Sequence, residues 1–410
     1  MKLRNDCDKI VQQALEQVQP DQAVARALAG RSFDGGRLVL VSAGKAAWSM
    51  ARAAWEGLER KPDAGIVITK YDHSKGEIGT LEVWEAAHPV PDENTFAATR
   101  RALELTEGLT ADDTVLFLLS GGGSALFEKP LVPGEELQDI TQQLLACGAD
   151  IVEMNTIRKR LSAVKGGRFA QHCAPAKVFS VVLSDIIGDP LDMIASGPAS
   201  PDGSTCAQAL EIARKYGLNL TEQAWALLGE ETPKTLDNVE TQITGSVREL
   251  CNAAKTVCEE LGYETIILSD CLTCQAREAG DFLASIARTY KNTTKSMAFL
   301  AGGETVVRLI GSGKGGRNQE LALSAAAGIA GLDRTAVFSV GSDGTDGPTD
   351  AAGGFVTGET AGALAEQGMT VFDVLQNNDA YTALKACGGL IMTGATGTNV
   401  NDVAVLLIDR

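Results

Sequence analysis

Histidine is scarce in this sequence: three residues in 410, His73, His88 and His172, at spacings that match no metal-ligand pattern. The segment His88-Pro89-Val90-Pro91 reads as a rigid turn rather than a catalytic stretch. No apolar run reaches the roughly 20 residues that a membrane-spanning helix needs. Met1 to Asp6 lacks the apolar stretch of a secretory leader. Both readings point to a cytoplasmic protein. The Walker A pattern, G-x-x-x-x-G-K-[ST], is absent, and so are internal repeats and low-complexity tracts. Basic residues are outnumbered, 36 Lys and Arg against 53 Asp and Glu, for a formal net charge of −17. That balance argues against nucleic acid or an anionic membrane as partner, and leaves room for a small anionic substrate held by a local basic pocket. The nine cysteines are odd in number and irregularly spaced, which excludes a disulfide framework and fits reduced thiols. Cys271-Leu-Thr-Cys274 has no second pair or nearby histidines with which to bind zinc.

What the chain has in quantity is glycine, 44 residues, much of it in short clusters after apolar runs. The length suggests two domains. Buried β-branched runs alternate with helical patterns: Leu38–Val41, Gly65–Thr69, Val115–Leu119 and Val178–Leu183 read as strands, with helices over 46–60, 95–109, 135–147 and 151–173 between them. This alternation implies an α/β fold whose first domain, residues 1–240, is Rossmann-like with a mainly parallel sheet. No strand is evident from Ile186 to about Thr241. The alternation then resumes in a second α/β domain, residues 241–410, with strands at 265–268, 297–300, 306–310, 336–340 and 403–408. In such sheets ligands bind beyond the carboxyl ends of the strands, so the residues after each run carry the functional argument.

Those residues are polar and glycine-rich in both halves. Ser42-Ala43-Gly44-Lys45 opens a helix, where Lys45 adds charge to backbone N–H groups that favour an anion. Ser120-Gly121-Gly122-Gly123-Ser124 offers three glycines able to wrap a phosphate and two hydroxyls beside them. Ser184 to Pro190 carries Asp185 and Asp189, each readable as general base, metal ligand or hydroxyl acceptor, and equally as cap or turn residue. Gly311 to Gly316 satisfies G-x-G-x-x-G but lacks the surroundings of a dinucleotide site. Arg317 after it reads as a planar donor for carboxylate or phosphate, next to Asn318 and Glu320. The loop Gly341 to Gly354 packs Asp343, Asp346 and Asp350 among five glycines, a density that suits a hard cation such as Mg²⁺ and also an acidic turn.

In this order, together with Ser196-Gly197-Pro198 and Thr396 to Asp402, these motifs resemble the class II glycerate kinases, the family that includes glycerate 2-kinase and whose C-terminal portion is often called the MOFRL domain. The resemblance covers nearly the whole chain. It implies a kinase of two α/β domains with its active site in the cleft between them, using ATP and Mg²⁺ or another divalent cation to convert D-glycerate into 2-phosphoglycerate. It assigns active-site roles to Lys45 and Arg317. With Asp189 these form the expected catalytic set. Ser42, Gly44, Ser120, Gly121, Gly122, Gly123, Ser124, Asp185, Asn318 and Glu320 form the expected substrate and phosphate set, and Asp343, Asp346 and Asp350 the metal set. A homodimer is compatible with the sequence, and nucleic-acid and membrane partners are not expected. Members of the family have also been labelled hydroxypyruvate reductases. An NAD(P)H-dependent reductase is therefore the rival reading, and a non-enzymatic binding module a weaker third.

Overall fold

Apolar residues on both sides of a strand need cover on both faces of the sheet, and the first half of the chain is built that way. The computed structural model describes residues 2–410. Its first sheet has six strands: β1 (Leu38–Ala43), β2 (Ala64–Lys70), β3 (Glu82–Ala86), β4 (Thr114–Leu119), β5 (Lys177–Leu183) and β6 (Val239–Gly245), in the order β3-β2-β1-β4-β5-β6. β3 through β5 pair in parallel. In β1, Val39, Val41 and Ala43 enter one buried cluster while Leu38 and Leu40 enter another, and β4 divides its residues in the same way. The period of two thus feeds two cores, one on each face. The strand order reverses between β1 and β4, the switch point at whose carboxyl ends ligands bind in open α/β sheets.

The expected helix over 151–173 is two helices. Ile151–Arg160 starts at a capping box of Asp150 with Glu153, and Arg168–Cys173 follows a break at Gly166 and Gly167. Both glycines sit at positive φ, 59° and 83°, a conformation that ends a helix. Buried residues of the helices Gly134–Ala146, Ile151–Arg160, Cys206–Lys215 and Glu222–Leu228 form a small core of their own.

The second sheet contains β7 (Glu264–Leu272), β8 (Met297–Gly303), β9 (Thr335–Gly341), β10 (Gly353–Thr357), β11 (Leu390–Ile391) and β12 (Asp402–Ile408), in the order β11-β10-β9-β12-β8-β7. Only β7 and β8 pair in parallel; the other four pairings are antiparallel. Central β12 runs against both β8 and β9, with Asp402 opposite Gly303 and Gly341. The residues entering β12 therefore meet those leaving β8 and β9 at one edge. The strand expected at 306–310 is absent. Val306 forms an isolated bridge with Gln275, and Leu309 is 80% exposed, so this apolar run has no sheet to join.

The chain divides into two compact units. One is Pro20–Thr244, and the other is Gly245–Arg410 with the N-terminal segment up to Gln19. The N-terminal segment thus belongs to a different unit from the residues that follow it. That segment is the amphipathic helix Lys2–Gln17, which buries Ile10, Val11, Ala14 and Leu15 and packs on the helix Val247–Glu260. Among the described residues no helix is long and apolar enough to cross a membrane, and all nine cysteines are free thiols.

Candidate active site

In the first unit, pairing of β1 with β4 sets their exit loops side by side. Ser120 N donates to Ala43 O at 3.0 Å, Lys45 N to Gly121 O at 2.9 Å and Ala46 N to Ser120 Oγ at 3.1 Å. Gly44 has φ 127°, and a Cβ there would lie 2.3 Å from Ser120 Oγ, so only glycine permits the approach. Ser42 is buried and its hydroxyl bonds Ala47 O at 2.9 Å. The hydroxyls of Ser42 and Ser120 thus join strand to helix, and Ser124 bonds Ser196, which in turn bonds Asn155.

Two N–H groups of this loop, those of Gly121 and Gly122, are taken by no protein acceptor among the described residues, and both glycines are partly solvent-accessible. A Cβ on Gly122 would meet Lys45 Cγ at 3.1 Å, and Lys45 has no carboxylate within ion-pairing distance among the described residues. Free N–H groups beside an uncompensated ammonium are the donor set that an oxyanion needs. Asp185 borders the same loop, since a Cβ on Gly121 would lie 2.1 Å from its Oδ2. Asp189 stands farther along, half-buried, with φ 52°. His88 also belongs here. Its Nε2 would lie 3.2 Å from a Cβ on Gly122, and burial, then the charges of Lys45, Lys70 and His73, push its pKa below the usual value. The sequence reads this histidine as part of a turn, and nothing in its spacing connects it to Lys45.

The second unit differs from expectation. Arg317 is already engaged: Nε and Nη2 hold Asp402 at 2.6 and 3.1 Å, and Nη1 holds Glu304 at 2.9 Å. These carboxylates raise its pKa against the opposing effect of burial. Asn318 and Glu320, expected to face substrate, are buried inside the unit. Asn318 bonds Ser339 and Asp346, while Glu320 binds Arg277 at 3.1 Å and Asn378 at 3.1 Å. The glycine loop 311–316 is likewise occupied by the protein itself. Ile310 N and Gly311 N donate to Asn378 Oδ1, Ser312 N to Asn377 Oδ1, and Lys314 N to Asp379 Oδ1. Its glycines allow close packing on that turn, where a Cβ on Gly313 would lie 2.4 Å from Asp379 Cβ.

Nor do the three aspartates converge. Asp346 is buried and accepts N–H bonds from Asn318 and Gln319 at the start of the helix Arg317–Gly328. Asp343 accepts Thr345 N in a local turn, and Asp350 is exposed on Tyr381. Among the described residues no group of three His, Cys, Asp or Glu side chains is placed to hold a metal ion. The loop's density of carboxylates arises from three separate structural tasks.

Comparison with known proteins gives two family matches. Residues 6–229 match a domain of unknown function, DUF4147, and residues 297–402 match the MOFRL family. Over 98% of this chain and 97% of the relative, the sequence is 52% identical to a D-glycerate 2-kinase from Thermotoga maritima. A protein of Agrobacterium vitis provisionally named a hydroxypyruvate reductase is 39% identical over 98% of this chain and 93% of its own length. The fold superposes on a glycerate kinase crystal structure from Thermotoga maritima with a TM-score of 0.95, covering 99% of each chain at 52% identity.

Proposed function

We propose, from the premise that this chain belongs to the class II glycerate kinase family, that it phosphorylates D-glycerate at the 2-hydroxyl with ATP, giving 2-phosphoglycerate and ADP. The observation that carries this reading into the molecule is the pair of loops leaving β1 and β4, where Gly121 and Gly122 present free N–H groups next to an unpaired Lys45. Phosphoryl transfer asks for positioning and charge neutralisation rather than covalent chemistry. In the proposed step the 2-hydroxyl oxygen bonds to the γ-phosphorus, the bond from that phosphorus to the β–γ bridging oxygen breaks, and the hydroxyl proton passes to a carboxylate of the Asp185–Asp189 loop. Lys45 and the loop N–H groups offset charge on the phosphoryl oxygens. In the second unit we assign Arg317 the task of ordering Glu304 and Asp402. Asp343, Asp346 and Asp350 do not fit a three-carboxylate metal cage, and no step is routed through one.

The test is incubation with ATP, Mg²⁺ and D-glycerate, following ADP release and identifying the product by ³¹P NMR. Glycerate-dependent ADP release with 2-phosphoglycerate as product is expected. NADPH oxidation by hydroxypyruvate without ADP release would overturn the reading. Lys45→Ala should lower kcat by about two to four orders of magnitude, the scale for removing a donor aimed at developing charge. Combining it with Arg317→Ala tests whether Arg317 acts in the same step as Lys45, since residues acting as a unit lose far less together than the sum of their separate losses.

A further inference from the structure

The helix Ile151–Arg160 ends in three cations, Arg158, Lys159 and Arg160, which suit the carbonyl end of a helix. Two of them are paired with carboxylates, although Arg160 Nε is buried without a partner. Lys159 lies 3.0 Å from Asp202 and 3.2 Å from Asp192, and Arg160 bonds Thr156 O and Ser204 and pairs with Glu231 at 3.3 Å. Arg158 is the exception. It has no carboxylate within ion-pairing distance among the described residues. Its one hydrogen bond runs from Nη2 to Ser124 O at 3.3 Å, and its Nε is buried without a partner.

Ser124 ends the glycine loop just described. Lys165 reaches the same carbonyl at 2.8 Å, but the buried Glu128 stands 3.2 Å from it and matches its charge. Three cations therefore surround the loop: Lys165 is neutralised, while Lys45 at Gly122 and Arg158 at Ser124 are not. A guanidinium left with most of its donors unused is costly to keep half-buried, unless something else completes it. Its planar fork matches a carboxylate or a phosphate by two parallel bonds, which an ammonium cannot do.

We propose that Arg158 is the second oxyanion-binding cation of the Ser120–Ser124 loop, beside Lys45, gripping a carboxylate or phosphate group of a bound substrate. The proposal rests on the kinase reading for the identity of that substrate. The carboxylate of a small hydroxy acid and a nucleotide phosphate share this chemistry, and separate titrations distinguish them.

Arg158→Gln and Arg158→Lys are compared with Arg52→Gln, which removes the same charge from an exposed site paired with Glu56. KM is measured for D-glycerate and for ATP, and calorimetry follows D-glycerate, ATP and inorganic phosphate one at a time. Arg158→Gln should weaken one of the two substrates by about tenfold or more, the scale of a lost charged hydrogen bond, while the other stays near wild type. Arg158→Lys should recover only part of the loss, and Arg52→Gln should change neither. Arg158→Gln with both KM values and all three affinities within about twofold of wild type would overturn the assignment. If Arg158→Gln does not fold, Arg158→Lys decides by the same readouts, and unchanged values overturn it. If the wild-type protein turns over no glycerate, the kinase reading fails by itself. Arg158 is then judged on phosphate: weaker binding in Arg158→Gln upholds it, and equal binding overturns it.

Discussion

Asp346 accepts N–H bonds from Asn318 at 3.1 Å and Gln319 at 2.8 Å while almost no solvent reaches it. The two bonds favour the ionised carboxylate and burial opposes it, with the charge of Asp402 adding to burial. Burial prevails, lifting the pKa to about 6. The native state then binds more protons than the unfolded chain between about pH 4 and pH 6, so this group's contribution to stability falls as pH rises through that window. A shift of about two units corresponds to a loss of at most about 3 kcal/mol, complete only above pH 6. Urea midpoints of wild type and Asp346→Asn should therefore diverge with pH. The wild type should have its larger relative stability at pH 4 and lose it by pH 7. A constant difference would mean that the N–H bonds keep the carboxylate ionised throughout. Asp346→Ala removes the cap altogether and should cost about 1–2 kcal/mol. A role in holding metal would instead appear as a changed Mg²⁺ requirement with stability intact.

Two glycine loops look alike in the sequence and do opposite work in the fold. The loop 311–316 gives its N–H groups to Asn377, Asn378 and Asp379, whereas the Gly121–Gly122 pair keeps its own free. Gly313→Ala should lower stability by about 1–3 kcal/mol through the clash with Asp379, with turnover of the folded fraction near normal. Gly121→Ala should do the reverse, because its Cβ would displace Asp185 on a partly exposed loop. Chemical denaturation and kcat on the same samples separate the two outcomes. The strands that the sequence makes legible are the buried apolar ones, such as Leu38–Ala43, Thr114–Leu119 and Asp402–Ile408. Glu82–Ala86 and Val239–Gly245 escape because edge strands carry polar residues, and Gly353–Thr357 because it begins with two glycines. Alternating strand and helix signals say nothing of direction when a strand from the chain's end inserts between two earlier ones, as β12 does, so the antiparallel pairings were hidden. At the candidate site, Lys45 and Gly121–Gly123 stand out in the sequence because glycine and lysine after a buried strand have few structural uses. The partners of Arg317 are not, since Asp402 comes from a distant part of the chain and only the sheet register brings it close.

At the scale of the molecule, the second unit is discontinuous. The helix Lys2–Gln17 is held there by Asp6, which accepts the Tyr263 hydroxyl at 2.7 Å, by Arg4 Nη2 on Leu390 O at 3.0 Å, and by an ion pair of Lys2 with Asp409. Each large apolar side chain it buries contributes about 1.5–3 kcal/mol. Deleting residues 2–19 should therefore remove most of a margin that is typically about 5–15 kcal/mol, and two-step melting should show the loss in the unit holding residues 245–410 while Pro20–Thr244 melts as before. Equal melting of both units in the truncated and full chains would contradict this. The same discontinuity sets a timetable for synthesis. The ribosome makes the amphipathic helix well before its docking surface: Val247–Glu260 and Tyr263 follow roughly 240 residues later, a wait of about 12–50 s at 5–20 residues per second. Until then the apolar stripe of Ile10, Val11, Ala14 and Leu15 is exposed on a nascent chain whose middle segment is already able to fold. The growing polypeptide thus carries an uncovered apolar stripe until that surface emerges, and a chaperone that binds short amphipathic helices would find its target there.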